Sequence, residues 1–153
     1  MFETRKILTD MQQALAANTE FVNWCVAEFG RPPTIQIEVA DLQSLDAADF
    51  PFIGLFDVNQ DSGMVAPRME WSVKLLAGVS ESELTAEVVN SCTLRAYTGR
   101  LQVEDLREQA VVALYRAALG ARITTDGASV PNHYHPRYYS GTQLQITKQN
   151  NSQ

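Results

Sequence analysis

From Arg68 to Leu75 the chain alternates without a break: Met69, Trp71, Val73 and Leu75 are apolar, while Arg68, Glu70, Ser72 and Lys74 are polar. Successive side chains of a strand point to opposite faces, so the pattern requires a strand with one face on a core and the other toward solvent or a neighbouring subunit. Helical burial, which recurs about every 3.6 residues, cannot use it. Upstream, Phe52, Ile53, Gly54, Leu55 and Phe56 form a run apolar on both faces between Pro51 and Asp57, as in a short strand buried at the centre of a sheet. The connection Asn59 to Gly63 is rich in turn residues, so the two strands are expected to pair as an antiparallel hairpin.

The remaining segments supply what covers such a sheet. Ile7, Met11, Ala14 and Leu15 fall on one stripe of an amphipathic helix running from Glu3 to Ala16. Asn18 or Thr19 can cap a second helical stretch through Phe29, which Gly30 and the prolines Pro32 and Pro33 terminate. Thr34 to Val39 reads as a strand with Ile35, Ile37 and Val39 on one face and Gln36 and Glu38 on the other. Between Ser80 and Tyr97 two readings compete: Ser80 and Glu83 make a capping box, whereas Leu84, Ala86 and Val88 alternate as in a strand. A long helix is expected over about 103–119, with Leu106, Ala110, Ala113, Leu114 and Ala117 inward, Glu104 and Asp105 at its positive end, Arg116 near its negative end and Gly120 as its stop. Arg122 to Thr125 and Thr142 to Lys148 read as closing strands, Leu144 and Ile146 inward, around a loop that holds Gly127, Pro131 and Pro136.

The expectation is one α+β domain over residues 1–148, a mixed and mostly antiparallel sheet packed on the N-terminal helix and the second long helix, with 149–153 a frayed polar tail. A chain of 153 residues is long enough to bury such a core without staples. Cys25 and Cys92 are the two cysteines, too few and too far apart for a disulfide framework, and Cys25 lies in the pattern of a small buried hydrophobe. With 12 basic and 18 acidic residues the formal net charge is −6, which repels a phosphate backbone and argues against direct nucleic-acid binding. No run approaches a membrane span, and the opening MFETRKILTD lacks the apolar stretch of a signal peptide, so the chain is expected to stay where it is made.

Chemistry-bearing patterns are sparse. Asp57, Asn59, Asp61 and Gly63 offer oxygen ligands at alternate positions, as a calcium loop does, but the glycine falls one place late and Arg68 stands where a bidentate glutamate belongs; a plain turn accounts for them. His133 and His135, with Asp126 upstream, would share one side of a strand, yet a catalytic metal takes about three protein ligands and spacing places no third, so no metal is expected. There is no glycine-flanked nucleophile elbow, and the eight glycines form no phosphate loop. The expected catalytic, cofactor and metal residues are therefore none, and the chain reads as a structural protein before an enzyme. Tyr97, Tyr134, Tyr138 and Tyr139 can pack internally or present an interface. Two other classes remain open: a small metal-dependent enzyme built on His133 and His135, and a small-ligand or regulatory binding domain.

The layout as a whole carries a likeness. A helix such as KILTDMQQAL, the strand pair PFIGLFDV and RMEWSVKL, the helix VEDLREQAVVALYRAAL, and a closing strand TQLQIT after the aromatic HPRYY together cover most of residues 3 to 148. In that order the chain resembles the tail terminators and head–tail joining proteins of long-tailed bacteriophages. The resemblance implies a virion-assembly protein that forms a ring with itself, commonly a hexamer, at the head-proximal end of the tail. It implies tail-tube and neck proteins as partners, no cofactor, and residence in the bacterial host cytoplasm during assembly and then in the virion tail. It carries no functional residue over, because no motif fixes one position against another. An edge strand partly blunted by Lys148 is one place where such a ring could form.

Overall fold

The Trp71 face of the central strand sits at the bottom of the core: Met69, Trp71, Val73, Leu75, Ala77 and Val79 are all buried on one side of the strand β3 (Arg68–Ser80). The computed structural model describes residues 3–60, 68–129 and 135–149. Strand β2 (Phe52–Gln60) pairs antiparallel with β3 as expected, and β7 (Arg137–Gln149) pairs antiparallel with the other side of β3 along its whole length. The strand β1 (Thr34–Ile37) adds in parallel to β2 and β6 (Arg122–Ser129) adds antiparallel to β7, giving the order β1-β2-β3-β7-β6. The mixed, mostly antiparallel sheet and the single α+β domain are as the sequence predicted.

Helices α1 (Glu3–Ala17), α2 (Thr19–Phe29) and α3 (Thr98–Arg116) bury their apolar sides with the Trp71 face of the sheet. Ile7, Met11 and Leu15 of α1 and Val103, Leu106, Ala110 and Leu114 of α3 meet Ile53, Leu55, Leu144 and Ile146 there. The break between α1 and α2 is local chemistry: Asn18 is extended and its Oδ1 accepts the Phe21 N–H at 2.9 Å, satisfying an orphan donor of the first turn. Gly30 adopts φ 82° and closes α2 through its N–H to the Val26 carbonyl, a left-handed cap that glycine reaches without a Cβ clash. Trp71 is fully buried, and its indole N–H donates to Thr4 Oγ1 of α1 at 2.9 Å, so the polar tip of the largest core residue is satisfied.

The opposite sheet face is also covered at one end. The crossover from β1 to β2 carries two short 3-10 turns, Leu42–Ser44 and Ala47–Asp49, and lays Leu45 and Phe50 over Phe52, Leu76 and Tyr139. This is why the Phe52–Phe56 run is apolar at every position: Ile53 and Leu55 face the helices, while Phe52 and Phe56 face the crossover.

Several expectations change. The first strand stops at Ile37, because Glu38 has φ 68° and turns Val39 to the crossover side, where it packs with Phe52. Asp57 (φ 51°) lies within β2 at a register shift, so the strand bulges and continues through Asn59 to Gln60 where a turn was expected. The long helix expected at about 103–119 runs instead from Thr98 to Arg116, and Glu104 is then mid-helix, bridging Arg100 at 2.6 Å and Arg107 at 3.1 Å. Gly120 is left-handed but lies beyond the helix, which ends at Arg116 with Ala117 as its extended C-cap. Gly127, expected in a loop, is the left-handed residue of a bulge in β6, and Arg137 to Gly141, expected to precede the last strand, belong to it. Gln149, assigned to the tail, pairs with Arg68. The closing strand is not an edge, since β7 lies between β3 and β6, and Lys148 spends its charge on Glu3 of α1 at 2.9 Å.

Candidate assembly surface

The segment left open by the sequence folds as a hairpin separate from the main sheet. Strand β4 (Leu84–Val89) pairs antiparallel with β5 (Cys92–Tyr97) through a two-residue turn, Asn90 and Ser91, at φ 49° and 65°. Positive φ at both central positions matches the primed turns whose twist suits a tight hairpin, and asparagine tolerates that region better than most residues. The capping-box reading of Ser80 and Glu83 is thereby displaced: Ser80 ends β3, and Glu83 binds across the base of the hairpin.

That base is closely tied. Thr98 N–H donates to the Glu83 carbonyl at 3.0 Å and Thr98 Oγ1 to Glu83 Oε1 at 2.9 Å, while Glu81 N–H donates to the Pro136 carbonyl at 2.8 Å. The Tyr97 ring lies 4.7 Å from His135 and 6.2 Å from Tyr138, and His135 Nδ1 is 2.6 Å from the Tyr138 hydroxyl. Gly99, the second residue of α3, abuts the buried Tyr138 ring so closely that an added Cβ would lie 2.6 Å from Cδ2. Burial, and then the neighbouring Tyr97, push the Tyr138 phenol above its ordinary range; burial does the same to Tyr139, opposed in part by Arg137.

Beyond this base the hairpin is exposed. Every residue of β4 is exposed and only Ala96 of β5 is half-buried. Leu84, Val88, Val89, Leu94 and Tyr97 are among the large apolar side chains at the surface, Val88 at 71% exposure. A two-stranded hairpin is marginal by itself in water, and apolar side chains on both of its faces lack a covering layer. The sequence held a signal for it, Asn90 between two alternating runs, but Ser80 and Glu83 competed with that signal for the same stretch.

The other candidate groups are placed differently. Asp57 and Asn59 are strand residues, and Asp61 and Gly63 lie outside the described residues, as do His133 and Tyr134. His135 is engaged with Tyr138, and among the described residues no three His, Cys, Asp or Glu side chains gather as metal ligands. Tyr138 and Tyr139 are packing residues on opposite faces of β7, whereas Tyr97 is surface. Cys25 is buried and its thiol is pushed up to about 12 by desolvation, while Cys92 is exposed at the end of the hairpin. A surface depression of about 640 Å³ beside the hairpin base is lined by Asp41, Leu42, His135, Arg137 and Tyr139, with Arg137 stacked on the Phe50 ring at 5.2 Å. It sets no nucleophile beside a base. No helix among the described residues is long and apolar enough to cross a membrane.

No family model and no curated protein matches this sequence. The functional reading therefore rests on geometry and on the likeness of layout.

Proposed function

We propose that the chain is a structural assembly protein of a long-tailed phage, a tail terminator or head–tail joining component, which closes into a ring by using the β4–β5 hairpin as its contact arm. The observation that carries this reading is the hairpin itself: it stands off the main sheet, held at its base by Glu83, Thr98 and Tyr97, with apolar side chains exposed on both faces. Burial of apolar surface drives association, and an arm fixed at its root loses little freedom on docking. A contact between unlike surfaces of identical copies closes a ring when its rotation divides a full turn, which gives one stoichiometry and no growth beyond it. The acidic net charge of −6 suits protein partners such as tail tubes and neck proteins better than the nucleic acid that passes through them.

Native mass spectrometry across a concentration series, with and without isolated tail tubes, tests the proposal. The expected result is a closed oligomer of single stoichiometry, free at high concentration or seated on tube ends, and its loss when Val88 and Leu94 are both replaced by serine. A protein that stays monomeric throughout and neither binds tubes nor restores terminator-deficient tails would end it.

A further inference from the structure

The register of the hairpin divides its side chains into two unlike faces, because residues directly opposite in an antiparallel pair share a side. Leu84 opposes Tyr97, Ala86 opposes Arg95 and Val88 opposes Thr93, so Leu84, Val88, Tyr97 and Arg95 lie on one face. Glu87 opposes Leu94 and Val89 opposes Cys92, so Leu94, Val89, Cys92 and Glu87 lie on the other. Each face is thus an apolar patch with one charge, positive on the first and negative on the second. The two charges sit on adjacent rungs, at nearly the same height along the hairpin, and neither has an ion-pair or hydrogen-bond partner among the described residues.

We infer that successive copies stack hairpin on hairpin, the Arg95 face of one against the Glu87 face of the next, with those two charges paired across each contact. This rests on the ring-forming reading above and specifies its contact. Three physical points lead to it. Packed sheets stand about 10 Å apart, a gap that Val, Leu and Tyr side chains fill and that an Arg–Glu pair can span. A rotation about an axis along the strands preserves height, so it brings Arg95 of one copy level with Glu87 of its neighbour. A twofold contact about an axis along the strands that used either face against itself would set Arg95 level with Arg95 or Glu87 level with Glu87, so the same charges oppose that competing dimer.

Charge reversal gives the test, since like charges across an interface weaken it and restored complementarity recovers it. E87R makes both faces positive and R95E makes both negative. Each variant alone, its fold verified by circular dichroism, is expected to need about tenfold or more higher concentration to assemble. An equimolar mixture of the two should assemble near the wild-type concentration, only into oligomers with an even number of copies in alternation. The exchange E87R/R95E in one chain should also assemble by itself. Alkylation of Cys92, which lies on the Glu87 face, should slow on assembly in the wild type. If the wild type forms rings and the single reversals do so equally well, the hairpins do not stack in this way, although the ring reading stands. If the reversals abolish assembly and the mixture does not recover it, the paired charges are refuted. A wild type that never assembles, alone or on tubes, overturns both.

Discussion

Removing the Trp71 side chain is the sharpest test of how the core is built. The ring is fully buried beneath α1 and α3, and its N–H is bonded to Thr4 at 2.9 Å, so Trp71→Ala both opens a cavity and takes the indole donor from the Thr4 hydroxyl, which keeps its own donation to Gln60 Oε1 at 3.3 Å. Large-to-small truncation of a buried aromatic costs about 3–5 kcal/mol, a large share of the roughly 5–15 kcal/mol that holds a domain folded. For a chain of this size, about 2–4 °C is lost per kcal/mol, so the melting temperature should fall by roughly 6–20 °C. Thr4→Val keeps the shape but leaves the indole N–H unpaired, at a cost of about 1–3 kcal/mol. In Trp71→Phe that N–H is gone, so Thr4→Val should cost less there; the double-mutant cycle isolates the bond at about 0.5–1.5 kcal/mol. Lys74, on the opposite face with its ammonium 5.7 Å from the Phe56 ring, is the control, and Lys74→Ala should cost no more than about 1 kcal/mol. Urea unfolding followed by far-ultraviolet circular dichroism gives all of these midpoints. Equal midpoints for Trp71→Ala and Lys74→Ala would refute the assignment of faces.

Gly99→Ala should destabilise by about 1–3 kcal/mol, because its Cβ meets the buried Tyr138 ring, and a thermal melt unchanged from wild type would refute that close approach. Tyr138 and Tyr139 should ionise above the usual phenol range in a titration of phenolate absorbance. Their folded pKa values are raised, so their contribution to stability is complete below the unfolded value of about 10 and is lost as pH climbs through the folded values. A single tyrosine transition in the ordinary range, with circular dichroism still native, would contradict their burial.

The elements legible in the sequence are those whose cause is local. Asn18 and Gly30 bound α2 through their own side-chain and backbone chemistry, and the Met69–Leu75 alternation depends only on one face being dry. Elements with tertiary causes were harder to read. α3 begins at Thr98 although its apolar stripe begins at Val103, because Gly99 is held against Tyr138, which lies far along the chain. β7 begins at Arg137 because Tyr138 and Tyr139 each find a covered face, and the cover for Tyr139 is the β1–β2 crossover, whose packing no pattern in HPRYY announces. The hairpin was ambiguous for a related reason: no core sets its period, so Leu84, Ala86 and Val88 suit a strand no better than Ser80 and Glu83 suit a helix cap.

The backbone hydrogen bond from Thr98 to Glu83 brings the chain back to the point where it left the body. Everything between those two residues is therefore an insertion whose ends are already joined. Loop closure grows only slowly with length, by about 0.6 kcal/mol for each doubling, so rungs can be added or removed in pairs at little cost to the fold. The length and charge of the segment between Glu83 and Thr98 can therefore change while the sheet and its helices stay fixed.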